Sequence, residues 1–404
     1  MANVEVKATI DLKKYENSAK EAIADIKARA GKDGQFLNWI EWLLNNQIEN
    51  IDNLYALAQK AKEDGAEELA ILGIGGSRHT TEAMVKMLGI DSNVHFYSSV
   101  DPVSFKRFAD KLNLDKTTFL VVSKSGGTLE TTTAFENAKT LLKDYYKKDD
   151  VSEKFIAMTD KNPEKSALRR EVNAGAVKAS GFVHDDVGGR FSIFDDATIF
   201  TLAFVGVKKE DVVAMLNSAL NAQKDYLSED IEKNSALKLA LFNVDAKLNG
   251  KNKHFSEYFG DAFEGATLWE KQMKNESLKA SISTDTNVGP GYLHYNAEAD
   301  LDLANNDSFY TFTNVATDDK VTNAVLTGVK AAYSNQHRVA EIILEDLTPV
   351  TVGRFIELKH LETLLTGNIL RRENGNITDK NVALPEVLQP NVEIYKKEVK
   401  KALL

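Results

Sequence analysis

Twice within residues 68–128 an apolar run opens directly into a turn of glycines and small hydroxyl residues. The first is Glu68-Leu69-Ala70-Ile71-Leu72-Gly73-Ile74-Gly75-Gly76-Ser77. The second is Thr118-Phe119-Leu120-Val121-Val122-Ser123-Lys124-Ser125-Gly126-Gly127-Thr128. Both turns lead into segments with helical patterning. A buried strand that passes through glycines onto a helix leaves backbone N–H groups pointing outward, where the helix dipole favours negative charge. Gly76, Ser77, Ser123, Lys124, Ser125 and Thr128 are therefore the expected cradle of one phosphate-sized anion. The plainer alternative is that the glycines only make tight strand-to-helix turns.

The pattern continues around this pair. Strands are predicted over 69–74, 94–98, 118–122 and 155–158, with a weaker one at 182–183, and helical segments over 80–88, 103–111, 129–143 and 165–171. Such alternation implies parallel strands joined by crossover helices, a doubly wound sheet that binds ligands beyond its strand C-termini. Residues 1–65 read as mostly helical after a short extended start. Residues 196–275 also read as helical, with apolar faces over 210–228 and 231–246. Extended segments at 279–283, 309–312 and 341–344, and a helix over 351–365, make a second α/β region. The expectation is an α/β chain of two doubly wound three-layer α/β/α sandwiches with mainly parallel sheets. N-terminal helices and a C-terminal helical tail complete it. Its parts are 1–65, 66–195 and 196–404. Residues 373–380 read as an exposed turn around Asn374-Gly375-Asn376.

Composition removes several function classes. The 404 residues carry a net charge of −10, which argues against a general nucleic-acid or anionic-membrane surface. There is no cysteine, hence no disulfide, thiol nucleophile or cysteine-based metal site, as expected of a cytoplasmic protein. No secretory pattern is visible at Met1–Lys7, and no apolar run approaches the roughly 20 residues that cross a bilayer. Gly73-Ile74-Gly75-Gly76-Ser77 fails as a dinucleotide fingerprint because Arg78 stands where the third glycine belongs, and no Walker-A loop occurs.

Other segments carry chemistry-bearing residues. Gly188-Gly189-Arg190 lets the backbone approach a ligand beside a guanidinium suited to developing oxyanion charge. A salt-bridged surface turn is the plainer reading. Gln272 and Glu276 are spaced i, i+4, so on a helix they face one way. Pointed into a pocket, the carboxylate is a general base and the amide an orienting group; otherwise the pair is a solvated face. The seven histidines show no metal-binding spacing. His337 precedes the strand at 342–344, and His79 directly follows the first turn, facing either ligand or solvent. Gln389-Pro390-Asn391-Val392-Glu393-Ile394-Tyr395-Lys396 reads as a proline turn opening a basic helix.

Taken in order, these pieces resemble the phosphoglucose isomerase family of the sugar-isomerase (SIS) fold group. Gly73–Ser77 is similar to its first phosphate turn, and 123–128 to its S-K-S-G-T-T-T-E stretch. Gly188-Gly189-Arg190 is similar to its G-G-R, 269–277 to its Q-x-x-x-E segment and Ser283-Thr284-Asp285 to its S-T-D. Gln389–Lys396 is similar to its terminal Q-x-G-V-E-x-x-K. Departures are Gly127 for a threonine, Asn391 for a glycine, Leu388 for an aspartate, and His337-Arg338-Val339-Ala340 for His-Thr-Asp-Gly-Gly.

The resemblance implies reversible isomerisation of D-glucose 6-phosphate to D-fructose 6-phosphate through a cis-enediol(ate), in glycolysis and gluconeogenesis, with no metal or redox cofactor. It implies Glu276 as the proton shuttle between C2 and C1, His337 with Lys396 as ring-opening groups, and Arg190 on the intermediate's charge. Ser77, Ser123, Ser125 and Thr128 would hold the phosphate, and Gln272 and Gln389 would position hydroxyls or water. A homodimer with shared active sites is implied, with no nucleic-acid or membrane partner. A non-catalytic sugar-phosphate sensor on the same fold, or an isomerase of another hexose phosphate, is the alternative.

Overall fold

The computed structural model describes residues 4–403, which form ten strands in two five-stranded sheets. In chain order these are β1 Val4–Ala8, β2 Glu68–Leu72, β3 Val94–Tyr97, β4 Thr117–Val122, β5 Phe155–Thr159, β6 Ala179–Phe182, β7 Lys253–Phe259, β8 Ser283–Gly289, β9 Ser308–Val315 and β10 Arg338–Leu344. The first sheet has the order β3-β2-β4-β5-β6 and is wholly parallel. The second has the order β1-β10-β9-β7-β8, parallel except for the antiparallel edge pair of β1 with β10. Read from β8 to β10, the second sheet repeats the strand order of the first from β3 to β5. The two halves therefore share one topology.

The side-chain alternation of the strands explains the layering. Leu69 and Ile71 of β2, Leu120 and Val122 of β4 and Ile156 and Met158 of β5 enter a large core that also takes Phe309 of β9 and Ala340, Ile342 and Leu344 of β10. Ala70, Leu72, Phe119, Val121, Phe155 and Ala157, on the opposite face, pack with Ala134, Phe135, Ala138 and Leu142 of the helix Leu129–Tyr146. Because both faces of these strands are covered, they are apolar throughout, as a buried parallel sheet requires. A smaller core around Phe259, Tyr310, Phe312 and Tyr333 covers the outer face of the second sheet. Between the sheets run the helices Trp42–Glu63, Asp196–Val205, Lys209–Tyr226, Ser235–Leu248 and Pro349–Glu373.

Two expectations are corrected. Residues 196–275 are mostly helical as expected, but β7, an interior strand of the second sheet that was not expected, also lies within them. The strand expected at 279–283 is instead β8, which begins at Ser283 after a left-handed Lys279 ends the preceding helix. The short extended start becomes β1, bonded to the second sheet. The exposed turn at 373–380 is present. The buried Arg29 guanidinium anchors it by donating to the carbonyls of Thr378 (3.1 Å) and Asp379 (3.0 Å).

Candidate active site

The helix Gly76–Met87 that follows β2 packs into the large core, whereas the helix Leu129–Tyr146 that follows β4 packs on the other face. Neighbouring strands whose connections leave on opposite sides open a crevice at their C-terminal ends, the switch point of a doubly wound sheet. Both glycine turns line it. A Cβ on Gly73 would lie 3.2 Å from the Val122 carbonyl oxygen, so the two turns are in direct contact.

The second turn is organised by its own hydroxyls. Ser123 Oγ accepts from Gly126 N at 3.0 Å and Ser125 Oγ from Gly127 N at 3.2 Å, bonds that do not use either O–H as a donor. Thr128 occupies the N-cap of the helix Leu129–Tyr146 but makes no side-chain capping bond, so its hydroxyl is available beside the helix N-terminus. Gly126 sits at φ +64°, and a Cβ there would lie 2.1 Å from Leu168 N, so only glycine closes this turn. Lys124 Nζ lies 3.3 Å from Asp185, which ties this turn to the segment leading into Gly188-Gly189-Arg190. In the first turn Gly76 and Ser77 begin the helix Gly76–Met87.

Three later segments converge on the first turn. The helix Glu264–Leu278 packs antiparallel to Gly76–Met87: a Cβ on Gly265 would meet Glu82 O at 2.6 Å, and one on Gly75 would meet Gln272 Nε2 at 2.9 Å. Gly76 abuts the Gly188-Gly189-Arg190 turn so closely that a Cβ would lie 2.1 Å from Gly189 O. From there Arg190, only 1% exposed, donates from Nη1 to Glu276 Oε2 (2.9 Å), from Nε to Ser277 Oγ (2.9 Å) and from Nη2 to the Glu386 carbonyl (2.5 Å). Gln272 Nε2 donates to Glu276 Oε1 at 3.0 Å, and Gln389 Nε2 donates to Glu276 Oε2. Glu276 is thus held at both oxygens by three donors while its side chain keeps 22% exposure.

Arg190, Glu276, Gln272 and Gln389 are thereby brought together beside the turns that carry Gly76, Ser77, Ser123, Lys124, Ser125 and Thr128. His337 and Lys396 are not. His337 is 7% exposed, packed against Tyr310 and Tyr333, with Nε2 on the Asp300 carbonyl at 2.7 Å. Standing just before β10, it joins the N-terminal end of that strand, in the outer aromatic core, whereas the crevice lies beyond strand C-termini. Lys396 lies on the helix Pro390–Ala402, which buries no residue, and pairs with Glu393 at 2.7 Å.

Sequence reasoning missed Ser277 and Glu386 as partners of Arg190. Glu386 also takes a two-pronged contact from Arg371 (2.7 and 3.0 Å), and Gly367 leaves space for its side chain. The only signal was the proximity of Glu386 to Gln389. A group with metal-ligand chemistry, His184, Asp195 and Asp196, lies behind the Arg190 segment, its ligand atoms within 4.8 Å of one another. These side chains already satisfy one another: His184 Nδ1 contacts Asp195, and Gln47 Nε2 donates to Asp196 at 2.8 Å. Burial pulls the His184 imidazole down, but the Asp195 carboxylate more than offsets this and leaves it above the ordinary histidine range.

A family model described as phosphoglucose isomerase matches residues 58–288. A glucose-6-phosphate isomerase of Clostridium novyi (strain NT) is 27% identical to the chain over 95% of it and 89% of its own length. One from Acetivibrio thermocellus is 28% identical over 65% of the chain and 60% of its own length. Among solved structures, a hypothetical protein from Thermus thermophilus superposes with a TM-score of 0.84 at 21% identity, covering 97% of this chain and 96% of its own. A glucose-6-phosphate isomerase from Chlamydia trachomatis superposes with a TM-score of 0.80 at 15% identity, covering 99% and 88%. At those identities the two structures share the fold with this chain.

Proposed function

We propose that this chain, which belongs to the phosphoglucose isomerase family, interconverts D-glucose 6-phosphate and D-fructose 6-phosphate as a step of glycolysis and gluconeogenesis in the cytoplasm. The observation that carries this reading is Glu276, held by Arg190, Gln272 and Gln389 at the switch point beside two hydroxyl-bearing turns. The turns bind the phosphate at the end of the sugar remote from the reacting carbons. That supplies orientation and binding energy for a step in which a weak carboxylate base must move a proton from carbon.

Glu276 takes the proton from C2 of the open-chain aldose. The C–H electrons become the C1–C2 double bond of an enediolate, and the same carboxyl group returns the proton to C1 to give the ketose. Arg190 fixes the carboxylate's direction through its bonds to Glu276, Ser277 and the Glu386 carbonyl, and these three bonds leave a second N–H on each of Nη1 and Nη2 to act on the intermediate's negative charge. Gln272 and Gln389 sit where they can exchange a Glu276 contact for a substrate hydroxyl. His337 has no part in this reading. Lys396, exposed on the helix that Gln389 opens, is paired with Glu393 rather than with Glu276, and a homodimer that shares its sites remains part of this reading.

Glu276→Gln is expected to lose about 10²-fold or more in turnover, the scale of removing a general base, with a much smaller change in KM. A coupled assay on glucose, mannose and glucosamine 6-phosphates checks both the reaction and the sugar. Near-normal turnover in the variant removes Glu276 from the mechanism. Tight binding by the wild-type chain without turnover of any of the three sugars makes the site a sensor.

A further inference from the structure

Of the donors on Glu276, Gln389 comes from the segment 384–389, which belongs to neither sheet and leads into the helix Pro390–Ala402. Its amide lies where the backbone of that segment puts it. Leu384 and Val387 are buried, the Glu386 carboxylate takes the two-pronged contact from Arg371, and the Glu386 carbonyl accepts from Arg190 Nη2 at 2.5 Å. A further bond comes from the end of the helix that carries Glu276: Lys279 Nζ donates to the Pro385 carbonyl.

Lys279 ends that helix three positions after Glu276, at φ +53° and ψ −130°. Lys147, at φ +55° and ψ +41°, is in the ordinary left-handed region. Lys279 lies outside it, where a side chain is strained and glycine is not. The helix end does not need the side chain, because the Lys279 N–H donates to the Asn275 carbonyl at 3.0 Å as a glycine's would. The ammonium is also crowded. Arg190 and Arg371 stand near it, with Glu386 and Glu276 as the opposing charges, and burial, followed by Arg190, holds the amine below the ordinary lysine range. A strained backbone and a crowded cation thus meet at one residue beside the proposed base. What they secure is the bond to Pro385, four residues before Gln389.

Resting on the isomerase reading above, we propose that Lys279 is a positioning residue: its ammonium clamps the segment 384–389 to the end of the Glu276 helix and so keeps the Gln389 amide on the Glu276 carboxylate. The contacts close a ring, from Glu276 along its helix to Lys279, across to Pro385, along the segment to Gln389 and back to Glu276 Oε2. Lys279 moves no proton and touches no sugar. Without its bond, Leu384, Val387, Arg190 and Arg371 still hold the segment to the fold, but the ring is open and the carboxylate loses a fixed donor on Oε2. The consequence falls on proton transfer, where a small error of aim is costly, and not on the phosphate turns that set binding.

Two substitutions separate the amine from the backbone. Lys279→Gly and Lys279→Ala both remove the ammonium, but only glycine relieves the strain. Both are expected to lose about tenfold in kcat, with KM for glucose 6-phosphate within about twofold of wild type, while the glycine variant melts about 2 °C above the alanine one. A role in the fold alone would make activity follow stability, so a kcat within about twofold of wild type in Lys279→Gly overturns the proposal. The route through Gln389 is read by adding Lys279→Gly to Gln389→Ala, which should cost less than about twofold further; another tenfold loss overturns it. Amide hydrogen exchange needs no turnover. In Lys279→Gly it is expected to quicken about tenfold at Val387 and Leu388 and to keep the wild-type rate in the helix Glu264–Leu278. Unchanged exchange at Val387 and Leu388 overturns the clamp. If the wild-type chain turns over no hexose phosphate while the exchange result holds, the isomerase reading falls and the clamp stands.

Discussion

Adjacent glycines in the second turn have different reasons to be there. At Gly126 a side chain would collide with the Leu168 backbone in a left-handed conformation, so no other residue fits. At Gly127 a Cβ would meet only Ser125 Oγ at 3.8 Å, so packing does not demand glycine. Gly127→Thr is therefore expected to fold with unchanged Tm and to add one hydroxyl to the phosphate cradle. One charge-assisted hydrogen bond worth roughly 1.5 kcal/mol lowers KM about tenfold; steady-state kinetics on glucose 6-phosphate check this. A higher KM would mean that the turn has no phosphate at that position. At this scale the sequence shows which residues take part better than how they act. The i, i+4 spacing put Gln272 and Glu276 on one face, and they do share it. The same spacing carries no sign that Arg190 would be buried with bonds to Ser277 and a Glu386 carbonyl, because those partners lie 87 and 196 residues away.

At the scale of elements, the first sheet was legible because its strands are apolar on both faces. β7 was not, because its buried positions His254, Ser256 and Glu257 are polar. His254 pairs with Thr311 at 3.0 Å and Ser256 donates to Glu270 at 2.8 Å. Glu270, on the helix that carries Glu276, is itself balanced by Lys274 of the same helix at 3.5 Å and by Lys359 of the helix Pro349–Glu373 at 2.5 Å, all three buried. A strand whose inward residues join a polar network shows no apolar alternation, so periodicity misses it. On the opposite face of β7, Glu257 accepts one bond from Asn287 at 2.9 Å, and burial pushes its carboxyl up to about 8. This gives a stability prediction with a definite sign. Below the ordinary value of 4.5 both folded and unfolded chains hold the proton; between 4.5 and about 8 only the folded chain does. Stability conferred by this group is therefore full at low pH and is lost as pH rises through that window, by at most roughly 1.4 kcal/mol per pH unit. Glu257→Gln should flatten that slope in urea titrations at pH 5 and pH 8. An unchanged slope would show that Glu257 does not hold a proton in the folded chain.

At the scale of the whole molecule, two sheets of the same strand order meet in one core, yet only the first carries hydroxyl-bearing glycine turns at its switch point. The corresponding end of the second sheet, around Phe259, Pro290, Val315, Val321 and Leu326, is an apolar hollow of about 400 Å³. The crevice is thus built by one half, and the second supplies it with the Glu276 helix and the Gln389 segment. The helix Pro390–Ala402 exposes Ile394 and Tyr395 and buries nothing, so sedimentation equilibrium is expected to give twice the 44.7 kDa chain mass. A fully active monomer at assay dilution would remove the shared-site arrangement. The proton route itself is read most directly by NMR of glucose 6-phosphate conversion in D2O. We expect deuterium at C1 of the fructose 6-phosphate formed by the wild-type chain, and a loss of product formation of about 10²-fold or more in Glu276→Gln. Product formed at the wild-type rate by Glu276→Gln would contradict a Glu276-borne proton transfer.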